Sequence, residues 1–542
     1  MMSLPKFVAL FILIAVVWIQ SGVAVGTQRT EEAYVTLLYG DEFVLGVRVL
    51  GKSIRDTGSK KDMVVLVSNG VSDSSKALLE ADGWILEKIS LLANPNQVRP
   101  TRFWGVYTKL KIFNMTKYKK VVYLDADTIV LKSIEDLFKC GKFCANLKHS
   151  ERLNSGVMVV EPSQVVFNDM MSKVNTLQSY TGGDQGFLNS YYPEFPNAHV
   201  FEPFLPQELL HSRPVPEMER LSTLYNADVG LYMLANKWMV DESELRVIHY
   251  TLGPLKPWDW WTSWLLKPVD VWQMVREQLE ESLPGTGGGR NPKDYYLVRF
   301  LFFLPLCTLL FCYYHSFLQA RTFGRSSFLD LIRHIHYRII SYGAINYSGV
   351  SSSSAFNSPH KFSNVVQAKV PTYLGGLSIF ACFTAVLVSL AFSIAIVPRQ
   401  VVPWTGLLLM YEWTFTIFFL LFGGFLYFTH LWGRMVATHD ASLSPESLDD
   451  DSGKGHQRQG FFSDSGTCHY WLGMAILAVV TPSLPCIFGI TALFARLALM
   501  VAGGLVLASF MTYAAEHLAI RSFLKGFEDR DPIRSWGACL LC

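Results

Sequence analysis

The chain has 542 residues, which is too long for a single domain. Half of its residues are hydrophobic and only 17% are charged, which is apolar for a soluble protein. A net charge of +2, without a basic stripe or an RNA-binding signature, argues against a dedicated nucleic-acid-binding protein. The apolar excess lies at the N-terminus and in the second half, whereas residues 30–275 have an ordinary globular composition.

The N-terminus has the pattern of a secretory signal. Lys6 precedes the apolar run FVALFILIAVVWI, and the small residues SGVAVG follow it. This predicts a signal peptide over residues 1–26, and an uncleaved signal anchor is the alternative. Both interpretations place the following domain in the lumen.

Strand-like and helix-like segments alternate between residues 31 and 275. AYVTLL, DMVVLVS, KVVYLD and SGVMVVEP have the composition of buried strands, and LGVRVLGKSIRD and SSKALLEADG have helical spacing. This alternation predicts an α/β domain with a parallel sheet and helices on its faces. Ligands of such sheets bind at the carboxyl ends of the strands.

Two aspartates stand at such a strand end. In VVYLDADTIVL, Asp125 and Asp127 follow four apolar residues and are separated by Ala126. Residues i and i+2 of a strand point the same way, so both carboxylates are expected to face one spot. Two like charges this close require a cation or protons to compensate them. The motif therefore predicts a metal site.

RVIHYTLGPLKPWDWW supplies the remaining candidates for this site. His249 follows a predicted strand, and an imidazole beside two carboxylates favours Mn²⁺ over Ca²⁺ or Mg²⁺. Gly253 allows the backbone to approach a phosphate, and Lys256 offers it a positive charge. Both features predict a diphosphate next to the metal.

Cys140 and Cys144 are the one cysteine pair in the globular part of the sequence. An oxidising lumen permits a disulfide between them, and two free thiols are the alternative.

The second half of the chain has the pattern of a membrane region. Residues 276–296 have the composition of a linker, and residues 297–515 contain five apolar runs long enough to span a bilayer. These runs are about 297–318, 373–397, 404–431, 470–494 and 496–515. Basic residues concentrate in the loop 319–370 and in the tail 516–542, so the positive-inside rule places both in the cytosol. An odd number of spans then agrees with a lumenal N-terminal domain.

Four motifs along the globular domain resemble the glycogenin-like glycosyltransferases of family 8. They are YTKLKIFNMTKYKKVVYLDADTIVLKSIEDLF, LNSGVMVVEPS, GGDQGFLN and the segment around His249. The resemblance implies a GT-A (Rossmann-like) fold, a UDP-sugar donor, Mn²⁺ as cofactor and retention of the anomeric configuration.

The resemblance also assigns roles to residues by position. Asp125, Asp127 and His249 match the metal ligands of the family. Asp184 and Gln185 match residues that face the anomeric carbon. The positions that match contacts to the donor are Leu37, Tyr39, Phe43, Lys109, Ala126, Asn154, Ser155, Gly253 and Lys256.

Two departures from the family pattern leave individual roles open. The motif after His249 has one residue more before Lys256 than the usual H-x-x-G-x-x-K form. The stretch RPTRFWG is also one residue longer than in glycogenin, so that either Arg99 or Arg102 meets the donor. An added arginine here would suit an anionic sugar through bidentate pairing with its carboxylate. Asp184 has a second interpretation as the N-cap of the helix that follows it.

The combination of family-8 motifs with a polytopic membrane region resembles the plant inositol phosphorylceramide glucuronosyltransferases. The resemblance implies transfer of glucuronic acid from UDP-glucuronate to a membrane sphingolipid acceptor in the Golgi apparatus. Two alternatives stay open: a Golgi transferase acting on a polysaccharide such as xylan, and a non-catalytic multi-span lipid-binding protein or transporter.

Overall fold

The computed structural model describes residues 30–96, 105–148, 151–204, 214–253, 255–282, 292–322, 370–443 and 465–528. The predicted signal segment 1–26, Arg99, Arg102 and the end of the tail beyond residue 528 lie outside these ranges. The chain divides into two compact units, Met1–Asp228 with Met239–Thr251 and Val229–Trp238 with Leu252–Cys542.

The first unit is built on a mixed eight-stranded sheet with the order β3-β2-β1-β4-β7-β6-β9-β8. A smaller sheet has the order β10-β11-β5. The strands are β1 (Glu32–Leu38), β2 (Asp62–Val67), β3 (Ile85–Lys88), β4 (Lys120–Leu124), β5 (Thr128–Val130), β6 (Phe143–Leu147), β7 (Leu153–Val160), β8 (His199–Val200), β9 (Met218–Leu221), β10 (Ala227–Asp228) and β11 (Val247–His249).

Both faces of the large sheet are buried, because successive side chains of its central strands enter different cores. Tyr34 of β1 packs into one core and Val35 into the other. Burial on both faces explains why the central strands read as continuous apolar runs rather than as alternating ones. The longer helices of this unit are α1 (Val44–Asp56), α2 (Asp73–Ala81), α3 (Gln164–Lys173), α4 (Asp184–Tyr191) and a 3-10 helix over Val106–Asn114.

The predicted parallel pairing is correct for strands β1 to β4 and wrong for β7. Strands β1, β2, β3 and β4 pair in parallel, whereas β7 is antiparallel to both β4 and β6. Strand β7 begins only a few residues after the end of β6, and so short a connection can join only antiparallel neighbours.

The second unit consists of long helices preceded by short ones. The short helices are α5 (Val229–Ala235), α6 (Thr262–Leu265) and α7 (Val269–Ser282). The long helices are α8 (Pro292–Thr322), α9 (Leu374–Ile396), α10 (Pro403–Leu443), α11 (Ser465–Ile487) and α12 (Leu493–Glu528).

Four helices of the described chain, α9 to α12, are long and apolar enough to cross a membrane. Helix α8 covers the first predicted span but contributes a shorter apolar stretch, Tyr296–Thr308. The total of five spans therefore stays a prediction.

The first unit ends before residue 275, the expected end of the globular domain, and that expected domain boundary stays a prediction. The first unit ends at Thr251, and the tryptophan-rich segment after it belongs with the long helices. Trp260 packs with Val397 and Leu409, which explains this assignment. Helix α7 also continues into the predicted linker 276–296, where Arg276 and Leu279 are buried.

Candidate active site

Asp125 and Asp127 lie directly after β4, at the edge of the sheet where the parallel strands end. Asp125 begins a tight turn in which its carbonyl oxygen accepts a hydrogen bond from the Thr128 amide at 3.0 Å. The hydroxyl of Tyr123 donates to Asp125 Oδ1 at 2.8 Å. Strand and turn thus hold the Asp125 carboxylate in a defined position.

The pairing of two short strands brings His249 to the same place. In the β5–β11 pair, His249 stands opposite Thr128, the residue after Asp127. His249 Nε2 lies 3.4 Å from Asp127 Oδ1 and 3.9 Å from Asp125 Oδ2. One donor atom from each of the three residues lies within 4.8 Å of the others. The three predicted metal ligands therefore form one cluster, and their role as ligands stays a prediction.

A buried asparagine fixes the tautomer of this histidine. Asn226 Nδ2 donates to Asn154 Oδ1 at 2.9 Å, so the Asn226 side-chain oxygen faces His249 Nδ1 at 3.0 Å and acts as the acceptor. Nδ1 then carries the proton, and Nε2 presents its lone pair toward the two carboxylates. A neutral imidazole oriented by a second residue is the usual arrangement around a protein-bound metal. This donor set fits a divalent cation.

The glycine of the LNSG motif makes room for the same imidazole. A β-carbon on Gly156 would overlap the His249 ring and lie 3.0 Å from Asn154 Oδ1. Glycine at this position therefore allows β7 to pass directly beside His249.

Lys109 connects the cluster of Asp125, Asp127 and His249 to Asp184. Its Nζ lies 2.9 Å from Asp125 Oδ1 and 3.1 Å from Asp184 Oδ2. It also donates to the carbonyl oxygen of Ser155 at 3.2 Å, and the Ser155 hydroxyl donates to Asp184 Oδ2 at 2.8 Å. Asp184 is the first residue of α4, and Gly183 occupies the N-cap position. The interpretation of Asp184 as the N-cap is therefore wrong, because its carboxylate is engaged by Lys109 and Ser155.

Gln185 is linked to His249 by a chain of hydrogen-bonded side-chain amides. Asn154 Nδ2 donates to Gln185 Oε1 at 3.0 Å. Asn154 in turn accepts from Asn226, whose oxygen faces His249. This chain keeps Gln185 and His249 in a fixed relation across β7, β10 and β11.

Burial and neighbouring charges shift the pKa values of two groups at this site. Burial raises the pKa of Asp125, Lys109 opposes this effect, and the charge of Asp127 adds to it. Burial alone would lower the pKa of Lys109, but Asp125 and Asp184 outweigh it and raise that pKa. Lys109 is therefore a permanent cation between two carboxylates.

The other predicted donor contacts differ in how the structure places them. Leu37 is the last residue but one of β1, which pairs in parallel with β4, and the rings of Tyr39 and Phe43 lie 6.0 Å apart just beyond that strand. Gly253 and Lys256 belong to the second unit, so their part in the site stays a prediction. Ala126 is buried in the turn between the aspartates.

The sequence interpretation missed Asn226, which has no catalytic motif around it. In the sequence it is a single polar residue in LYNADVG, directly before β10, and the structure shows that it is buried. A single asparagine of this kind is common in turns, so only the folded arrangement identifies its contact with His249.

Comparison with known proteins agrees with these features. Residues 34–142 match the family model of glycosyl transferase family 8. The chain is 67% identical over 534 residues to inositol phosphorylceramide glucuronosyltransferase 1 of Arabidopsis thaliana, and the alignment covers 98% of each protein.

More distant matches cover smaller shares of the chain. UDP-glucuronate:xylan alpha-glucuronosyltransferase 1 of Arabidopsis thaliana is 36% identical over 162 residues, which are 30% of this chain and 25% of that protein. The crystal structure of the galactosyltransferase LgtC with donor and acceptor sugar analogues aligns with a TM-score of 0.33 and 18% identity, over 45% of this chain and 95% of that one.

The family match and the mixed α/β sheet confirm the GT-A class predicted for the first unit. The family defined by these motifs is also confirmed, because the 67% identity extends over nearly the whole chain. The chain belongs to glycosyltransferase family 8.

Proposed function

We propose that this protein transfers glucuronic acid from UDP-glucuronate to inositol phosphorylceramide. The observation that carries the proposal is the 67% identity to a protein of that name, which includes the membrane helices as well as the catalytic unit. The xylan-directed relative aligns with less than a third of the chain. A polytopic region in the same chain suits an acceptor that resides in the bilayer.

Asp125, Asp127 and His249 would hold Mn²⁺ in this proposal. Two carboxylates and a neutral imidazole form a donor set that accepts this ion. A bound divalent cation supplies charge neutralisation for the departing diphosphate. Asn226 keeps the Nε2 lone pair of His249 directed at the site.

The remaining residues would position the sugar and its leaving group. Lys109 neutralises Asp125 and Asp184 together, so Asp184 enters the reaction as an ion-paired carboxylate. Gln185 presents an amide that Asn154 fixes in place. Retention follows either from front-face attack by the acceptor or from double displacement through one of these two side chains. The engagement of Asp184 by Lys109 and Ser155 favours front-face attack, since an ion-paired carboxylate is a weak nucleophile.

We also propose that the catalytic unit faces the lumen of the Golgi apparatus. The Cys140–Cys144 disulfide supports this location, because such bonds persist in oxidising compartments. The turns after α9 and α11 lie on the side that the positive-inside rule assigns to the lumen. The first of these turns contacts the segment that follows the catalytic unit in the sequence through Arg399, and Arg496, at the start of α12, contacts the same segment.

The test uses membranes that contain the full chain, Mn²⁺ and inositol phosphorylceramide, with UDP-glucuronate, UDP-glucose or UDP-galactose added separately. An Asp125→Ala, Asp127→Ala variant serves as the blank. We expect a glucuronidated lipid from the wild type alone. Hydrolysis of the donor without a lipid product contradicts the acceptor, and the absence of any donor turnover contradicts the transferase.

A polysaccharide acceptor is the second candidate, favoured by the match to the xylan-directed relative. Adding xylan oligosaccharides in place of the lipid distinguishes the two acceptors. A non-catalytic protein is tested separately: Mn²⁺ and UDP together should raise the melting temperature of the wild type, as any ligand of the native state does, but not that of the blank.

A further inference from the structure

The turn between α9 and α10 carries an arginine, Arg399, three residues after the last residue of an apolar helix. The tryptophan-rich segment Trp258–Leu266, which belongs to the same unit, covers this turn. The Trp260 amide donates to the Arg399 carbonyl oxygen at 3.0 Å. Arg399 Nη2 in turn lies 2.9 Å from Asp259 Oδ2. Backbone and side chain of Arg399 are therefore held by neighbouring residues of one segment.

This arrangement fixes one side of the guanidinium and leaves the other open. Asp259 is only 1% exposed, so its carboxylate orients Arg399 without presenting its own charge to the surface. The Arg399 side chain is 65% exposed, and its guanidinium carbon lies 5.4 Å from the centroid of the Trp261 ring. A planar guanidinium held on one edge still offers several parallel N–H donors on the other.

Two other arginines of this unit, Arg276 and Arg496, have structural roles. Arg276 is 4% exposed and donates to the carbonyl oxygens of Gln400 and Val401 in the same turn. Arg496 donates to the carbonyl oxygens of Ile490 and Trp264, both at 2.6 Å. Arg276 thus ties the turn of Arg399 to α7, and Arg496 ties the turn before α12 to the tryptophan-rich segment. Arg399 differs from both because its side chain is largely exposed.

Aromatic side chains surround this position as they do at membrane surfaces. Trp264 packs edge-on against Trp404 at the start of α10, with the ring centroids 4.8 Å apart, and Trp404 is 64% exposed. Trp260 and Trp261 pack in one apolar cluster with residues of α8, α9 and α10. Tryptophans concentrate at the level of the lipid headgroups, where a positive charge meets lipid phosphate.

We propose that Arg399, stacked on Trp261 and oriented by Asp259, binds the phosphodiester of the lipid acceptor at the membrane surface. This inference rests on the proposed function, because it assigns the recognition of the acceptor headgroup to the second unit. Arginine suits the task, since its fork matches two phosphate oxygens at once. The apolar helices α9 and α10 then lie directly beside the acyl chains of the bound lipid.

The first test measures binding without any sugar transfer. Purified full-length protein in a non-ionic detergent is melted with inositol phosphorylceramide, with ceramide or with inorganic phosphate, in the absence of Mn²⁺ and UDP-sugar. For the wild type we expect a higher melting temperature with the phosphorylated lipid than with ceramide. Arg399→Gln should lose this difference, and Arg399→Lys, which keeps the charge without the fork, should lose at least half of it.

Arg521→Gln is the matched control, because this exposed arginine lies near the other end of α12 from Arg496. It should keep the full lipid response. An Arg399→Gln protein that still distinguishes the two lipids overturns the proposal, as does an Arg399→Lys protein with an undiminished response. An equal, Arg399-dependent response to inorganic phosphate overturns recognition of a lipid and leaves a free-phosphate site. Each response is compared within one variant, so a lower starting melting temperature does not affect the result.

The second test separates this inference from the proposed function. Arg399→Gln should raise the KM for the lipid about tenfold, the expected cost of losing a charge-assisted bidentate contact. The KM for UDP-glucuronate and the hydrolysis of this donor without lipid should not change. A wild type that responds to the lipid through Arg399 but transfers no glucuronic acid would contradict the proposed function and keep the lipid site. Transfer of glucuronic acid with an unchanged lipid KM in Arg399→Gln would keep the proposed function and contradict the lipid site at Arg399.

Discussion

Lys109 and Asp184 form a buried ion pair in which Nζ lies 3.1 Å from Oδ2. The same ammonium group lies 2.9 Å from Asp125 Oδ1, so one lysine serves a predicted metal ligand and a predicted catalytic residue. Sequence similarity assigned Lys109 to the donor sugar alone. The structure adds a second task, which is to bridge these two carboxylates in a buried place.

Replacing this lysine should separate its effects on stability and on metal binding. Lys109→Met leaves Asp125 and Asp184 without their common cation, so the free energy of unfolding should fall by about 3 kcal/mol. The remaining carboxylates should attract a cation more strongly, so Mn²⁺ should raise the melting temperature more than it does in the wild type. Thermal melts with and without Mn²⁺ measure both effects.

Lys111→Met is the control for this experiment. Lys111 belongs to the same 3-10 helix but donates to Ser90 Oγ, away from the carboxylates. It should change neither quantity appreciably. A smaller Mn²⁺ response in Lys109→Met than in the wild type would contradict the role assigned to this lysine.

Asn226→Ala should weaken metal binding without removing a ligand. It deletes the acceptor that keeps the proton on His249 Nδ1, and loss of such a supporting contact lowers metal affinity by roughly 10-fold to 100-fold. Titration of Mn²⁺ against the melting temperature gives the affinity. Asn146→Ala is the matched control, because Asn146 is also buried but donates to the Leu221 carbonyl oxygen. Equal Mn²⁺ affinities in the two variants would refute the contribution of Asn226.

Gly156→Ala tests the close passage of β7 beside His249. The added methyl group would overlap the imidazole, so either the ring or the strand has to move. We expect loss of most of the Mn²⁺ response together with a fall in the melting temperature. Gly376→Ala serves as the control, since a β-carbon there meets nothing within 4 Å. An unchanged Mn²⁺ response in Gly156→Ala would show that His249 is not needed in this position.

The disulfide should contribute to stability and not to the active site. Closing so short a loop with a disulfide stabilises the folded state by about 2 kcal/mol. A Cys140→Ser, Cys144→Ser protein should therefore melt at a lower temperature, and added reductant should not lower it further. Its Mn²⁺ response should match that of the wild type. A reductant that leaves the melting temperature of the wild type unchanged would contradict the contribution of this bridge.

Local patterns predicted much of the catalytic unit. The apolar run before Asp125 identified β4, and the i, i+2 spacing placed Asp125 and Asp127 on one side of its end. Both features depend only on residues that are close in the sequence, so local patterns are sufficient to predict them. The approach of His249 depends instead on the pairing of β5 with β11, which joins residues more than a hundred positions apart. The assignment of His249 to the same site as Asp125 and Asp127 therefore depended on the family resemblance rather than on a local pattern.

Other features could not be predicted because they arise from packing between distant segments. The antiparallel setting of β7 follows from the short connection to β6, which alternating strand and helix patterns do not reveal. The tryptophan-rich segment was assigned to the globular domain by composition, yet its tryptophans pack on apolar helices of the second unit. Composition alone does not indicate which of two apolar surfaces a tryptophan will cover.

The ties between the tryptophan-rich segment and the helix turns have a consequence for biosynthesis. Asp259 is synthesised 140 residues before Arg399, and Trp264 is synthesised 232 residues before Arg496. At the ribosome's rate of about 5–20 residues per second, the segment waits on the order of ten seconds or more for its partners. During that time Asp259 and the carbonyl oxygen of Trp264 lack these two partners. The second unit is therefore completed only after α12 has been made, so the chain cannot finish folding while it is still being inserted.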